Sequence, residues 1–318
     1  MCYSAQIEHD FQRYVREYGA HIDLKAFVRL YWERRGDKTI KIPKALDLAF
    51  ARPHTDDEWQ INVWIKEHDR GQAVQLEQEL FKQRKRRVDA ERILAVRNTW
   101  TAQESRRIAI DRMIRARGQL EDLWRTVPAD RDARVFPGYY APVMVVEHGR
   151  RIVRPMRYQC RPEGAPAAFD RKHPSSCNAR RDRLEGFWKG AFGRHHALWL
   201  IRAFYENVSR HRMEGRELAP DETEQSVVLE FRPEPAQDML VACLWSAWEG
   251  EGEALRSFAA ITDVSPPEVA AAGHDRSVIP IRCDNIDSWL CPDSADLAAQ
   301  YALLDDRERL HFEHRLAA

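Results

Sequence analysis

The sequence has no long hydrophobic run, and no stretch approaches the roughly 20 apolar residues that a membrane-spanning helix requires. Its N-terminus also lacks the charged and then apolar segments of a secretory signal. No sign of charge is in excess, because 50 basic residues balance 50 acidic ones. The lack of a long apolar run excludes an integral membrane protein. The balance of charges excludes an overall positive electrostatic field that would attract nucleic acid. We therefore expect a cytoplasmic protein with no membrane partner, which meets any anionic partner through a local patch.

The cysteines are few and are not arranged as metal ligands. The six include no CxxC pair, and no paired Cys/His spacing indicates a zinc site. We predict no metal and no cofactor. In a reducing compartment most of these thiols are expected to be small buried side chains. Cys2 is the exception, because a chain terminus is rarely part of a core.

Proline is almost absent and glycine is scarce between about residues 56 and 124, where apolar positions recur among dense charge. Gly71 and the stretch 98–101 are the natural breaks, so this region predicts a helical hairpin or antiparallel pair. Its basic run "KQRKRR" (82–87) is typical of a solvated helix face. The alternatives are a face that follows a phosphate backbone or one that docks a partner protein.

The second half of the chain has a different pattern. After about residue 136, short β-branched and aromatic runs lie between Gly, Pro and Asp breaks, which indicates strands. The final segment, 294–318, predicts one terminal helix. We therefore predict an α+β fold: a mainly antiparallel β-sheet or partly closed barrel, with flanking helices and a long helical insertion.

Four polar residues lie at positions where the predicted fold alone does not require a polar side chain. Loss of Met1 would leave Cys2 with an α-amine and a thiol on adjacent carbons, which are two nucleophiles held in one orientation. Asn178 follows a turn-like segment, Glu206 comes late in an apolar strand, and His274 stands at a loop-to-strand junction. Their structural alternatives are a turn residue or cap, a solvated strand end and a structural histidine, respectively.

Taken in chain order, these stretches resemble the SOS-response-associated peptidase (SRAP) family. The anchors are Met-Cys at the start, Asn-Ala-Arg at 178–180, an aromatic pair and Glu at 204–206, and His-Asp-Arg at 274–276. The chain departs from the family's pattern after its second residue, where Tyr-Ser stands in place of Gly-Arg. The reacting groups are all present.

The resemblance divides the chain into two parts. It implies a SRAP-like catalytic domain formed by residues 1–20 and 136–318, and it leaves residues 21–135 as a helical, basic insertion. The insertion is then free to extend a nucleic-acid contact or to bind a partner protein, and the sequence leaves both readings open.

The function that the resemblance implies is that of an abasic-site sensor in DNA repair and the SOS response. The α-amine of Cys2 would condense with the aldehyde of an abasic site in single-stranded DNA. The adjacent thiol would close a thiazolidine ring and give a covalent DNA–protein crosslink. By resemblance and chemical type, Glu206 transfers protons, His274 protonates or positions the sugar oxygen, and Asn178 orients the amine or the aldehyde oxygen.

DNA contacts are implied at a second set of residues. Arg180 and Arg276 offer guanidinium forks for phosphates beside the lesion. Trp188, Phe187 and Trp199 are candidates for stacking on bases, with strand core as their alternative. This function places the protein at the nucleoid within the cytoplasm.

Two other functions compete with this one. A cysteine peptidase would use Cys2 and His274 as a thiolate–imidazole pair. A non-catalytic scaffold would bind nucleic acid or a partner protein through its basic helices alone.

Overall fold

The computed structural model describes residues 3–250 and 253–317 and contains both helices and strands. The strands in these residues are β1 (Ser4–Ile7), β2 (His21–Ile22), β3 (Arg134–Val135), β4 (Tyr140–Glu147), β5 (Arg150–Tyr158), β6 (Asn178–Arg180), β7 (His196–Ser209), β8 (Ser226–Glu234), β9 (Met239–Gly250), β10 (Glu253–Val264), β11 (Arg276–Val278) and β12 (His311–Leu316). The helices are α1 (Phe11–Tyr18), α2 (Leu24–Gly36), α3 (Lys44–Ala49), α4 (Asp56–Val96), α5 (Trp100–Trp124), α6 (Phe169–Lys172), α7 (Arg210–Met213), α8 (Pro267–Ala271), α9 (Ile286–Leu290) and α10 (Leu297–Asp305).

A closed barrel of β4, β5, β7, β9 and β10 forms the centre of the fold. β10 pairs with β5 in parallel, and the other neighbours pair antiparallel: β5 with β4, β4 with β7, β7 with β9, and β9 with β10. Closure pairs backbone groups that an open sheet edge would leave exposed. The predicted α+β fold with a mainly antiparallel, barrel-like sheet is confirmed.

The barrel is filled by large side chains that meet across its interior. The ring of Trp199 on β7 lies 4.9 Å from that of Tyr158 on β5 and 5.0 Å from that of Phe258 on β10. All three rings are buried. Alternate residues of the same strands, such as Leu198 and Leu200, belong to a second buried cluster with α1, α9 and α10. The barrel strands are therefore buried on both faces, which explains their nearly continuous apolar runs.

The N-terminal strand β1 extends the sheet beside the barrel. It pairs antiparallel with β7 on one side and with β3 on the other, with Ser4 opposite Tyr205. All four β1 residues are buried. This pairing fixes the start of the described chain against the end of β7.

The chain ends in a strand rather than in the terminal helix that the sequence predicts, so that prediction was wrong. α10 stops at Asp305, and β12 follows as the antiparallel partner of β8. Phe312 is buried, whereas His311 and Glu313 beside it are exposed. Pairing with β8 and burial of Phe312 against the sheet determine the outcome.

The predicted helical hairpin is confirmed. α4 begins at a capping box of Thr55 and Glu58 and continues without a break through Gly71. Residues 97–99 separate it from α5, so the break predicted at 98–101 is found within about one or two residues, whereas the break predicted at Gly71 was wrong. Arg86 donates to Ser105 at 2.9 Å and Arg112 lies 3.7 Å from Glu79, so the two helices are antiparallel.

The described chain groups into two compact units. One contains the residues up to Arg52 and from Ala129 onward, and the other is Pro53–Pro128, which holds the hairpin. Residues 21–52 of the predicted insertion thus group with the barrel. Among the described residues, no helix combines the length and the apolar character needed to cross a membrane.

Candidate active site

Glu206 is a fully buried carboxyl group on β7. It lies between β8, where Leu229 is its partner, and the N-terminal end of β1. It shares a strand face with Phe204 and Val208, which belong to the barrel's interior cluster. Its exposure is 0%. The alternative of a solvated strand end was therefore wrong for this residue.

His274 reaches Glu206 from the turn that follows α8. The imidazole Nε2 lies 3.4 Å from Glu206 Oε2. Gly273, just before it, has φ 97°, a conformation that favours glycine. A Cβ at that position would come within 2.8 Å of Val208 and 2.9 Å of Arg212, so only glycine allows the turn to pack this closely on β7.

The hydrogen bonds of His274 fix its tautomer. Its Nδ1 lies 2.7 Å from the backbone oxygen of Arg276. A carbonyl oxygen only accepts, so Nδ1 carries the hydrogen, an assignment that follows from the hydrogen-bond network. The lone pair of Nε2 then faces Glu206.

Burial acts on the pKa values of both side chains. Burial raises the pKa of Glu206 well above its usual range, and the nearby Asp275 adds to the rise. Burial lowers the pKa of His274. Both shifts favour the neutral forms, because a low-dielectric environment penalises each charge. Burial thus favours an uncharged carboxyl group beside an uncharged imidazole.

Asn178 lies at the start of β6, which pairs in parallel with β10. Its side chain is buried and its Nδ2 is 3.2 Å from the Cys177 sulfur. Burial raises the pKa of Cys177 to about 11. Its thiol is protonated at neutral pH and is a poor nucleophile.

A cavity of about 280 Å³ opens beside Asn178 and Arg180. Its walls also include Ser175, Arg183 and Phe187. Both a polar amide and two guanidinium-bearing residues line it, so it has the chemistry to hold a phosphate or a sugar fragment.

The two predicted DNA-contacting arginines flank one residue of β10. Arg180 is the strand partner of Thr262, and Arg276 Nη2 donates to the Thr262 backbone oxygen at 2.7 Å. Arg180 also makes a two-point contact with Asp182, at 2.9 and 2.6 Å, which lowers the pKa of that carboxyl group. A phosphate at Arg180 would therefore compete with Asp182.

The three aromatic residues predicted to stack on bases differ in their exposure to solvent. Trp199 is inside the barrel and Trp188 is buried, so neither presents a free ring face of the kind that base stacking needs. Phe187 is 52% exposed. Of the three, it is the one that can stack on a base.

Arg134 holds the start of the chain in place, and no sequence motif points to it. Its Nε donates to the Ser4 hydroxyl at 2.8 Å. Its guanidinium carbon lies 3.9 Å from the centre of the Tyr205 ring, a cation–π contact next to Glu206. Arg134 is distant from every motif in the sequence, and only β1–β3 pairing brings it here.

Cys2 lies outside the described residues, so its role as the nucleophile stays a prediction. Among the residues that are described, no group of three or more His, Cys, Asp or Glu side chains is placed to hold a metal ion.

Comparison with known proteins gives a family match over most of the chain. The family described as "SOS response associated peptidase (SRAP)" matches residues 99–315. No curated protein matches significantly.

Similar solved structures come from two bacteria. A Bordetella bronchiseptica protein has 18% identity over 61% of this chain and 89% of its own, with a TM-score of 0.44. A phage-related protein from the same organism has 19% identity over 63% of this chain and 88% of its own, with a TM-score of 0.43. A Bacteroides thetaiotaomicron protein has 12% identity over 58% of this chain and 78% of its own, with a TM-score of 0.44.

Proposed function

The chain belongs to the SOS response associated peptidase family, whose members take part in abasic-site processing, and we propose that it crosslinks covalently to abasic sites in single-stranded DNA through Cys2. The crosslink protects the lesion until repair. The nucleophile is the 1,2-aminothiol that Cys2 presents once Met1 has been removed.

The observation that carries the proposal is where the buried acid–imidazole pair lies relative to the start of the chain. The backbone N–H of Tyr3 donates to Tyr205 O at 3.0 Å, and Tyr205 directly precedes Glu206. Residue 2 is bonded to Tyr3, so their Cα atoms are about 3.8 Å apart. The described chain thus begins beside the strand that carries Glu206, which supports a role for the preceding residue in this site.

The chemistry consumes an amine, a thiol and an aldehyde and releases one water. The α-amine attacks the aldehyde carbon to give a carbinolamine. Glu206, protonated at rest, donates its proton to the departing hydroxyl, which leaves as water and gives an imine. The nitrogen returns its proton to the Glu206 carboxylate. The Cys2 sulfur then bonds to the imine carbon, and the thiol proton passes to the nitrogen. The product is a five-membered thiazolidine.

His274 and Asn178 support these steps. The Nε2 lone pair of His274 holds the Glu206 proton in place and can relay it to the sugar oxygen as the deoxyribose ring opens. Asn178 has an amide that can donate to the aldehyde oxygen from beside the cavity. Arg180 and Arg276 supply positive charge for the neighbouring phosphates.

A crosslinking assay tests the proposal. Full-length protein, with loss of Met1 verified by intact mass, is mixed with a single-stranded oligonucleotide that carries one abasic site. Wild type should give a denaturation-resistant band without any reductant. Cys2→Ala keeps the amine but cannot close the ring, so its band should require borohydride reduction of the imine. Cys291→Ala removes an exposed thiol elsewhere and serves as the matched control.

The assay also separates the two competing functions. A reductant-independent band of equal intensity from Cys2→Ala would rule out the proposal. Peptide hydrolysis that is lost in both Cys2→Ala and His274→Gln would favour a cysteine peptidase. DNA binding that depends on α4 and α5 but not on Cys2 would favour a scaffold.

A further inference from the structure

The α4–α5 hairpin has one exposed apolar face. Val74, Phe81 and Val88 on α4 are spaced by seven residues, or nearly two helical turns, so they form one column. All three are exposed, and Phe81 is 75% exposed. On α5, Ile110 and Ile114 are one turn apart and also exposed.

These two apolar columns lie on the same side of the hairpin. Ala73 and Ala109 are buried between the helices. Val74 and Ile110 each follow one of these positions, and in an antiparallel pair that offset turns both side chains to the same side. The cross-helix contact of Arg86 with Ser105 lies on the opposite, polar side.

A charged column borders the apolar one on α4. Arg70, Glu77, Arg84 and Glu91 are exposed, are spaced by seven residues and alternate in sign. A nucleic acid would require a column of one sign. A column of alternating charge is instead complementary to an antiparallel copy of itself.

We propose that this face is a homodimer interface in which α4 packs antiparallel on α4 of a second copy. A two-fold axis at the height of Phe81 places Phe81 opposite Phe81 of the second copy and Val74 opposite its Val88. The same register brings Arg70 next to Glu91 of the copy and Glu77 next to its Arg84. Every charge in the column then faces its opposite, whereas a parallel, in-register copy would oppose like charges.

The size of the face is that of a stable dimer. From Arg70 to Ala95 it is about 38 Å long at about 1.5 Å per residue, and two adjacent helices are about 20 Å wide. Its area is therefore about 750 Å², close to the ~800 Å² per partner of a standard interface. The same axis passes Ile110, since Phe81 and Ile110 lie at one height in the hairpin. Two hairpins would form a four-helix bundle in which the paired charges of α4 lie between the apolar columns of α4 and α5.

Sedimentation equilibrium of the full-length protein tests the dimer. Wild type should be dimeric at micromolar concentration, and Phe81→Glu should be monomeric because it would bury two acids against each other. Ile93→Glu makes the same change at a 53%-exposed position on the polar side, and should remain dimeric. A monomeric wild type at about 100 µM, or a dimeric Phe81→Glu, would overturn the proposal.

A charge exchange tests the antiparallel register. Arg84→Glu should raise the dimer Kd about tenfold, because two symmetric attractions become repulsions. Adding Glu77→Arg should return Kd to within about threefold of wild type. A double variant as weak as Arg84→Glu would exclude this register. The outcome is read from the oligomeric state alone and does not depend on whether the protein crosslinks to DNA.

Discussion

Replacement of Glu206 by Gln tests whether a protonated carboxyl group at this site performs the chemistry. The side chain is fully buried, and its Oε2 is 3.4 Å from His274 Nε2. A Gln amide has nearly the same shape and can donate to the same nitrogen, so packing should survive. The variant cannot release or accept a proton.

The effect on stability depends on pH in a predictable direction. Burial raises the folded-state pKa of Glu206 well above its ordinary value of 4.5. Between pH 4.5 and the raised value, the folded state holds a proton that the unfolded chain has released. Wild type therefore loses stability there by up to about 1.4 kcal/mol per pH unit. Glu206→Gln lacks this loss, so its stability relative to wild type should increase with pH across that window.

The effect on activity should have the opposite sign. Without a proton donor for the departing hydroxyl, crosslink formation should slow by about 10²- to 10⁴-fold. Rates are measured by quenched-time-point electrophoresis with an abasic oligonucleotide, and stability by urea denaturation from about pH 4.5 to 8. We therefore expect the two assays to show that Glu206→Gln is more stable and less active than wild type at neutral pH.

Glu230 provides the matched control on the neighbouring strand β8. It is buried like Glu206, but its carboxylate forms ion pairs with Arg232 and Arg315. Glu230→Gln should therefore destabilise the protein by about 1–3 kcal/mol and leave the crosslinking rate within about twofold. If Glu206→Gln instead reacts at the wild-type rate, or shows no gain in relative stability with pH, the assignment of a protonated acid at this site is refuted.

Three further predictions concern the rest of the site. Arg180→Ala should reduce the salt dependence of single-strand binding by about 0.7 in log–log slope, and Asp182→Ala, which frees that guanidinium, should strengthen binding. Phe187→Ala should weaken binding by about 1–3 kcal/mol with unchanged stability, whereas Trp199→Ala should cost about 3–5 kcal/mol of stability in thermal or urea unfolding. Burial lowers the pKa of His274 in the folded state, so below pH 6.5 protons bind first to the unfolded chain, and wild type loses up to about 1.4 kcal/mol of stability per pH unit. His274→Gln should reduce this loss of stability.

Much of the fold follows from local sequence pattern. The scarcity of proline and glycine between residues 56 and 124 predicts the hairpin, and the Asn98–Thr99 break lies where α5 begins. Glycine often interrupts a helix, but Gly71 does not interrupt α4, because one glycine in a 41-residue helix costs only about 1 kcal/mol. The terminal strand was missed, since nothing local distinguishes it from a continued helix until β8 supplies a partner.

The family was also accessible from sequence, because four short anchors in fixed order carry the resemblance and the match over residues 99–315 confirms it. The contact between Glu206 and His274 could not be predicted from the sequence. These residues are 68 positions apart, and only the barrel and the Gly273 turn bring their side chains to 3.4 Å. The role of Arg134 beside Tyr205 depends in the same way on strand pairing.

The order of residues along the chain is enough to establish which reactive groups this protein has, its secondary structure over the hairpin and most strands, and its family. The protonation of those groups depends on how the chain packs. A carboxyl group is ordinarily ionised in an extended chain at neutral pH, and the pKa of Glu206 rises only because folding removes water from around it. Desolvation is a property of the packed neighbours, and no local pattern of residues encodes it.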